Sequence, residues 1–502
     1  MFLPVLCGII RYLKYYRRET MKRFICTLLA LMMIFALVGC KSNKREIVKL
    51  TLSTEDSEAI LAAAGITLPK AEEVAAAGTV IEWCSWYDGF HNYSEGEILY
   101  TGYFTFTEKY GCDIEWIEVD YFERFNALAN LILSGDAPDF YPAGSSASAT
   151  FPMACIKGTF DPIDDYVDYS DPLWKGMQEA AEYFALGDTH FAFVTDITFR
   201  HIVPYNRRVI DEWGFDDPAE LYANDEWTWD VFYEMCMDFS DADENRYALD
   251  GYSFIDALVQ QATGKKLVGK DENGHYYSNL DDPLIEAANT LLYALVKNDC
   301  TYHEGSTYRA GSKDHQAGAG LKDGLCLFYI ATVDEFTGPV EEISAIWGDI
   351  TQNELMFVPL PRYHNGDGNY YLTSIPQGYM MVTGAKNPEG VALLAACERF
   401  KIIDPTVIDI DRKQLKETYL WTDEMLEMYD HCYELAQKNV SMYYNGNFTD
   451  SLNNAYNSFR DGVARSATPT SWAQLKESHT ESFLYYMEEQ NDLVDQYIEE
   501  HS

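Results

Sequence analysis

Apolar positions follow two different periods along this chain. Between residues 79 and 141, short apolar runs alternate with stretches whose apolar residues recur every three or four positions. Thr79-Val-Ile-Glu-Trp reads as a strand, and a loop follows at Ser85-Trp-Tyr-Asp-Gly-Phe-His-Asn. A helix runs toward Phe106–Tyr110 and stops at Gly111, and Asp113–Val119 is the next strand. Asp120 then opens an amphipathic helix with Phe122, Phe125, Leu128, Leu131 and Ile132 on one face, closed by Gly135. Asp139-Phe-Tyr is a short third strand. This βαβαβ alternation predicts a mostly parallel α/β sheet. Farther along, Thr228 and Asp230 mark a helix start by a hydroxyl cap and an acid in the first turn. Pro283–Val296 and Asn387–Phe400 are further helices, the latter with an Asn cap and Pro at its first position. Leu325–Thr332 and Tyr379–Val382 read as strands, and beyond about Leu415 the chain is helical, acidic and aromatic-rich. No internal repeat interrupts this order.

The start of the chain has a different pattern. Lys22-Arg23 follows Met21, an apolar run extends from Phe24 to Val38, and Gly39-Cys40 closes it. The run is shorter than the roughly 20 residues a spanning helix needs. A basic region, an apolar core and a small residue before a break form a secretory leader. Leu37-Val38-Gly39-Cys40 resembles the lipobox of bacterial lipoproteins. That resemblance implies cleavage before Cys40, acyl chains (palmitate among them) on its sulfur, and anchoring to the cell membrane on the extracytoplasmic side. Residues 1–39 are then the signal peptide region, with Met21 expected as the true start. Residues 40–78 are a tether, with a short helix near Ser57–Ala64. A plain secretory signal with a chance cysteine is the alternative.

Composition narrows the partners. Of 502 residues, 47% are apolar and 23% charged, the balance of a globular protein. Lys and Arg number 37 against 80 Asp and Glu, a net charge of −43, which repels nucleic acid and acidic lipid. Abundant aromatics, 37 Tyr among them, suit a surface that stacks flat apolar faces. Cys84, Cys112, Cys155, Cys236, Cys300, Cys326, Cys397 and Cys432 show no C-x-x-C and no zinc spacing. Buried free thiols and disulfides both fit them. Asp241–Asn245 suggests a calcium loop, but Arg246 and Tyr252 stand where an EF-hand needs Gly and Glu. There is no G-x-S-x-G, no Walker A and no H-x-x-x-H. No catalytic residue, metal or cofactor is therefore assigned.

The order of several segments carries a second resemblance. Phe106-Thr-Glu-Lys-Tyr-Gly-Cys-Asp-Ile-Glu-Trp precedes Leu133-Ser-Gly-Asp-Ala-Pro-Asp-Phe-Tyr, and Ile163-Asp-Asp-Tyr-Val follows. Next come Val203-Pro-Tyr-Asn-Arg-Arg-Val-Ile-Asp-Glu-Trp-Gly and Glu226-Trp-Thr-Trp-Asp-Val-Phe, then Lys322-Asp-Gly-Leu-Cys-Leu-Phe. Val358-Pro-Leu-Pro and Gly384-Ala-Lys-Asn-Pro-Glu-Gly close the set. In this order the segments resemble the carbohydrate class (family 1) of extracellular solute-binding proteins of ABC transporters. Cys326 and Leu327 depart from that family's Ala and Met.

The resemblance implies a two-lobed periplasmic-binding-protein-like fold of type II, with lobes linked by a hinge. Lobe 1 would take residues 79–196 and 361–403, and lobe 2 residues 197–360 and 404–502. It also implies a monomer that binds a sugar or oligosaccharide between the lobes, closes on it, and delivers it to permease subunits in the membrane. A lipid-anchored glycoside hydrolase is a rival, since it needs only two carboxylates about 5–9 Å apart. A surface glycan-binding protein without transport is another.

Site residues follow from that placement. Trp86, after the first strand, would stack on the CH face of a sugar ring, while Asp88 accepts hydroxyl hydrogen bonds. Tyr141 comes after Asp139-Phe, at the end of the third strand. Thr332 and Asp334 follow the lobe 2 strand, Ser374 and Gln377 precede Tyr379–Val382, and Asp196 sits at the first crossover. Trp227 and Trp229, at a helix start, are expected in the core.

Overall fold

The computed structural model describes residues 55–91, 101–143, 151–250, 258, 261–302, 320–438, 440, 448–464 and 469–501. The leader and Cys40 lie outside the described residues. The strands are β1 (Val80–Ser85), β2 (Asp113–Glu118), β3 (Phe140–Pro142), β4 (Ala185–Leu186), β5 (Thr189–His190), β6 (Phe193–Phe199) and β7 (His201–Asn206). They continue with β8 (Tyr247–Asp250), β9 (Val268–Lys270), β10 (Tyr276–Ser278), β11 (Cys326–Tyr329), β12 (Ala331–Thr332), β13 (Leu355–Val358) and β14 (Ser374–Met381). Helices that matter below are α1 (Glu55–Ala63), α2 (Thr101–Tyr110), α3 (Arg124–Ser134), α4 (Met153–Ile156), α5 (Gln178–Glu182) and α6 (Arg207–Trp213). After them come α7 (Trp229–Phe239), α8 (Pro283–Lys297), α9 (Val340–Ile346), α10 (Pro388–Ile402), α11 (Asp423–Lys438), α12 (Asp450–Ala464) and α13 (Trp472–His501).

Two sheets organise these elements. Lobe 1 holds the order β2-β1-β3-β14-β6, with β1 parallel to β2 and β3, and β14 antiparallel to both its neighbours. In lobe 2, β7 is central. One edge of β7 pairs with β13, the other with β11 and β12 in a single register, and β8 lies parallel beyond β11. The chain passes from β6 in one sheet to β7 in the other through Arg200, and returns between β13 and β14. The molecule is thus a mixed α/β, two-lobed structure with crossing strands between the lobes.

Named contacts explain several of the motifs. Asp139 is fully buried, and its carboxylate accepts from Glu82 N at 2.9 Å, Lys386 N at 2.7 Å and Asn387 N at 2.8 Å. It ties β1 and β3 to the start of α10 by giving acceptors to the Lys386 and Asn387 amides just before that helix. Asn387 spends its amide on Val80 O at 3.2 Å and makes no side-chain cap, while Pro388 opens the helix as expected. Asn206 caps α6 by accepting from Arg208 N at 2.9 Å, and Tyr205 is buried beside it, donating to Asp217. Trp227 and Trp229 are buried, and the indole of Trp227 donates to Pro359 O at 2.9 Å. The eight cysteines from Cys84 to Cys432 are buried free thiols.

Three local readings change. The Asp120 carboxylate accepts from Phe122 N at 2.8 Å and Glu123 N at 3.2 Å, which makes a turn rather than a helix start. Helix α3 therefore begins at Arg124, and Phe122 is 85% exposed instead of facing the core. Ser374 and Gln377 lie inside β14, which is longer at its start than the run Tyr379–Val382 suggested. A bulge between Gln377 and Gly378 hides this period: Gly378 has φ +146°, and a Cβ there would sit 1.8 Å from Phe193 O. Finally, α1 and residues 71–78 already pack on lobe 1, burying Leu61 and Ala76, with Tyr110 donating to Pro69 O at 2.8 Å.

Candidate functional site

In open α/β sheets the space beyond the carboxyl ends of parallel strands is free for ligand. β1 ends at buried Ser85, whose carbonyl accepts from Val119 N and Trp116 Nε1 at 3.1 Å each. The chain then turns outward. Asp88 Oδ1 accepts from Phe90 N at 3.1 Å and His91 N at 3.0 Å, and His91 Nδ1 lies 3.0 Å away. The carboxylate folds its own loop, with little surface left for a ligand. This loop holds Trp86 and Tyr87 out at the tip of β1.

The tip of β2 repeats the arrangement. Tyr121 and Phe122 stand there, and the rings run in a line: Phe122 to Tyr121, Tyr121 to Trp86, and Trp86 to Tyr87, each at 5.3 Å. Tyr87 continues to Trp83 at 6.1 Å. Tyr87 and Tyr121 are each 47% exposed and Trp86 is half-buried, so the ribbon shows apolar faces to solvent. Behind it the Arg124 guanidinium sits 4.1 Å from the Tyr121 ring and 5.4 Å from Trp86. A cation against the ring faces fixes their position.

A cavity of about 290 Å³ opens beside this ribbon. Trp83, Tyr87, Phe90 and Tyr379 form its aromatic walls, and Thr195 and Gln377 supply polar groups. Glu398 and Lys401 of α10 close its base. Glu398 is buried, which pushes its carboxyl above the usual range, opposed by the charge of Lys401 and a bond from the Tyr103 backbone. It lies against the start of α2, where a Cβ on Gly102 would be 2.2 Å from Oε1. A larger groove of about 720 Å³ lies between α7 and α8. None of its lining residues is in a strand, and its carboxylates are engaged: Asp281 and Glu286 with Lys476 at 3.2 Å each, Asp230 with His364 at 2.8 Å.

The remaining expected residues separate into two groups. Asp196 and Gln377 face each other in register across β6 and β14, and Ser374 is opposite Phe199. Gln377 is exposed, donates to Thr198 Oγ1 at 3.3 Å and lines the cavity. Asp196 is buried and accepts from Tyr433 Oη at 2.5 Å; burial pushes its carboxyl up. Ser374 is buried and donates to Ala436 O at 2.7 Å. Tyr141 is also buried, between Phe125 and Phe160, with burial raising its phenol. These three build the frame.

Thr332 and Asp334 belong to lobe 2. Thr332 pairs with His201 at the first residue of β7, and Asp334 is exposed in the tight turn Val333–Phe336. Glu335 follows Asp334 in the same turn and is half-buried. Burial, with Asp334 next to it, pushes its carboxyl up to about 7, and Oε2 has no hydrogen-bond partner among the described residues. Sequence reasoning missed Tyr87, Tyr121, Phe122 and Glu335. The signal for Tyr121 and Phe122 was present: an aromatic pair just beyond a strand, as with Trp86 and Tyr87. Among the described residues, no group of three His, Cys, Asp or Glu side chains is placed to hold a metal.

No family model matches the chain, and no curated protein matches it in sequence. Solved structures do match in shape. The galacto-N-biose/lacto-N-biose I-binding protein of the ABC transporter from Bifidobacterium longum, in complex with lacto-N-biose, superposes with a TM-score of 0.53 at 13% identity. That match covers 82% of this chain and 98% of the other. The GacH receptor of Streptomyces glaucescens, solved unliganded and with acarbose, gives 0.52 at 13% identity, covering 81% and 99%. The ABC substrate-binding protein Lmo0181 from Listeria monocytogenes, in complex with cycloalternan, gives 0.52 at 14%, covering 81% and 98%. The fold is therefore that of the two-lobed binding proteins, as the order of motifs implied.

Proposed function

We propose that this protein binds a sugar or oligosaccharide outside the cell and passes it to the membrane subunits of an ABC importer. The observation that carries this reading is the aromatic ribbon Tyr121–Trp86–Tyr87 at the carboxyl ends of β1 and β2, beside a cavity with polar groups at Thr195 and Gln377. Sugar rings present flat CH patches rimmed by hydroxyls, so they need apolar planes bordered by donors and acceptors. The fold supports the same reading, since the matching structures named above are sugar-binding proteins. Cys40 anchors the chain in the membrane by its acyl groups, which holds the ligand site near the permease. Trp86 and Gln377 touch the ligand from lobe 1; Thr332 and Asp334 meet it from lobe 2. The protein acts by binding, without catalysis.

A glycan-panel thermal-shift screen tests this. A ligand present at 100 times its dissociation constant stabilises the folded state by about 2.7 kcal/mol. At least one glycan is expected to raise the melting temperature, with no new reducing ends after long incubation. No shift across mono-, di- and oligosaccharides would sink the reading, and new reducing ends would replace it with a hydrolase.

A further inference from the structure

Away from the crossing strands, a second set of contacts joins the lobes. Helix α13 has 30 residues, a length of about 45 Å at 1.5 Å per residue. Its first turns belong to lobe 2: Trp472 Nε1 donates to Leu280 O at 3.4 Å, and Lys476 reaches Asp281 and Glu286. Midway, Asn491 accepts from Tyr276 N at 2.8 Å and donates to Tyr276 O at 2.9 Å, and His275 Nε2 lies 2.6 Å from Asp495. These bonds fix the hairpin β9–β10 to the helix. The same helix also touches lobe 1. Gln490 Nε2 is 3.4 Å from Met153 Sδ in α4, and the Tyr497 ring packs on Phe191 at 6.0 Å.

The hairpin makes the crossing a second time. Lys270 Nζ donates to Glu182 O at 2.8 Å and Ala185 O at 2.5 Å, at the end of α5 and the start of β4. Lys266 Nζ lies 3.6 Å from the Tyr183 ring centroid. Buried Phe184, Phe191 and Tyr497 belong to one contiguous apolar cluster with Leu280 and Phe328 of lobe 2. A hinge of crossing strands opens widely only where the surfaces beyond it part into water. Here opening would expose the Tyr497–Phe191 contact and leave the Lys270 ammonium without its carbonyls, both unfavourable.

We infer that α13 and the β9–β10 hairpin form a strap that holds the two lobes at a nearly fixed separation. The ligand site is then preformed, and the wide hinge closure implied by the family resemblance is restrained in this chain. This inference does not rest on which ligand binds, and its test uses none.

Two exposed positions, Asp136 on lobe 1 and Glu341 on lobe 2, are changed to cysteine in the full mature chain carrying Cys40→Ser. The eight native thiols are buried, so spin labels go to the introduced pair. Double electron–electron resonance without sugar is expected to give one narrow distance distribution for the parent. Tyr497→Asp and Lys270→Met are expected to add a second, longer population, while Tyr497→Phe and Lys270→Arg keep the parent distribution. Lys270→Met decides the matter if Tyr497→Asp does not fold, with far-ultraviolet circular dichroism as the check. A parent that is already broad, or a folded Lys270→Met variant identical to it, overturns the strap and leaves the sugar-binding reading untouched.

Discussion

The Tyr433 hydroxyl donates to the buried carboxylate of Asp196 at 2.5 Å, across 237 residues of sequence. Through that bond α11 is fastened to β6, the strand that leads out of lobe 1. Ser374 repeats the arrangement on β14 by donating to Ala436 O. Arg399 adds a third tie, with its guanidinium donating to Thr195 O at 3.1 Å and Leu173 O at 2.9 Å. The crossing strands are thus held from the side by buried polar groups, each with its partner.

Tyr433→Phe removes the donor and leaves a buried carboxylate short of a bond. A buried acceptor so orphaned costs about 1–3 kcal/mol. The variant should unfold at lower denaturant with an unchanged slope, read by urea titration, and ligand affinity should fall less than stability. A midpoint equal to the parent's would mean that Asp196 finds another donor.

The fold was legible where local period decides the outcome. β1, β2 and the helix at 283–297 stand close to where the apolar runs and their spacing place them; β1 buries most of its run, and the helix buries Ile285, Ala288, Leu292 and Leu295 on one face. The site was legible only in part. The place of Trp86 at the tip of β1 is legible from its position after a strand, but the engagement of Asp88 is not, because nothing local tells a free carboxylate from one that closes its own turn. Asp196 is expected to face ligand because the chain crosses there, and Ser374 because it precedes the strand Tyr379–Val382. Their partners in α11 lie far away in sequence, and no pattern near either residue announces them. The bulge at Gly378 breaks the period of β14, which is why Ser374 and Gln377 read as preceding the strand rather than lying inside it.

Glu335 gives a pH signature. Its ordinary value of 4.5 is pushed to about 7, first by burial and then by Asp334. Between those values the folded state holds a proton that the unfolded state has released, so stability falls as pH rises through that window. Glu335→Gln should flatten the slope of unfolding free energy between pH 4.5 and 7 and be the more stable form at pH 8. Parallel curves for the two proteins would show that Glu335 titrates normally.

Cys40→Ser tests the anchor. If Cys40 carries the acyl chains, the variant should lose palmitate labelling and leave the membrane fraction, since stable anchoring takes more than one chain. A variant that still labels and still sediments with membranes would place the anchor elsewhere.

Trp86 and Trp83 stand three residues apart and should respond in opposite ways. Trp86 is half-buried at the centre of the ribbon, with one edge to Tyr87 and another to Tyr121. Trp83 is 4% exposed and packs on Phe90 at 4.6 Å and Phe140 at 5.0 Å. Covering a large aromatic face is worth about 1.5–3 kcal/mol by area. Trp86→Ala should therefore weaken binding of the glycan found in the screen by about 10- to 100-fold, mostly through faster dissociation, with little change in melting temperature. Truncating Trp83 opens a cavity in the lobe 1 core, at a cost of about 3–5 kcal/mol. Asp88→Asn should loosen the loop and affect binding less than Trp86→Ala, because its carboxylate is already occupied by backbone donors. Isothermal titration and thermal melts of the three variants separate these effects. Unchanged affinity in Trp86→Ala with a markedly lower melting temperature would assign Trp86 to packing and move the ligand elsewhere in the cleft.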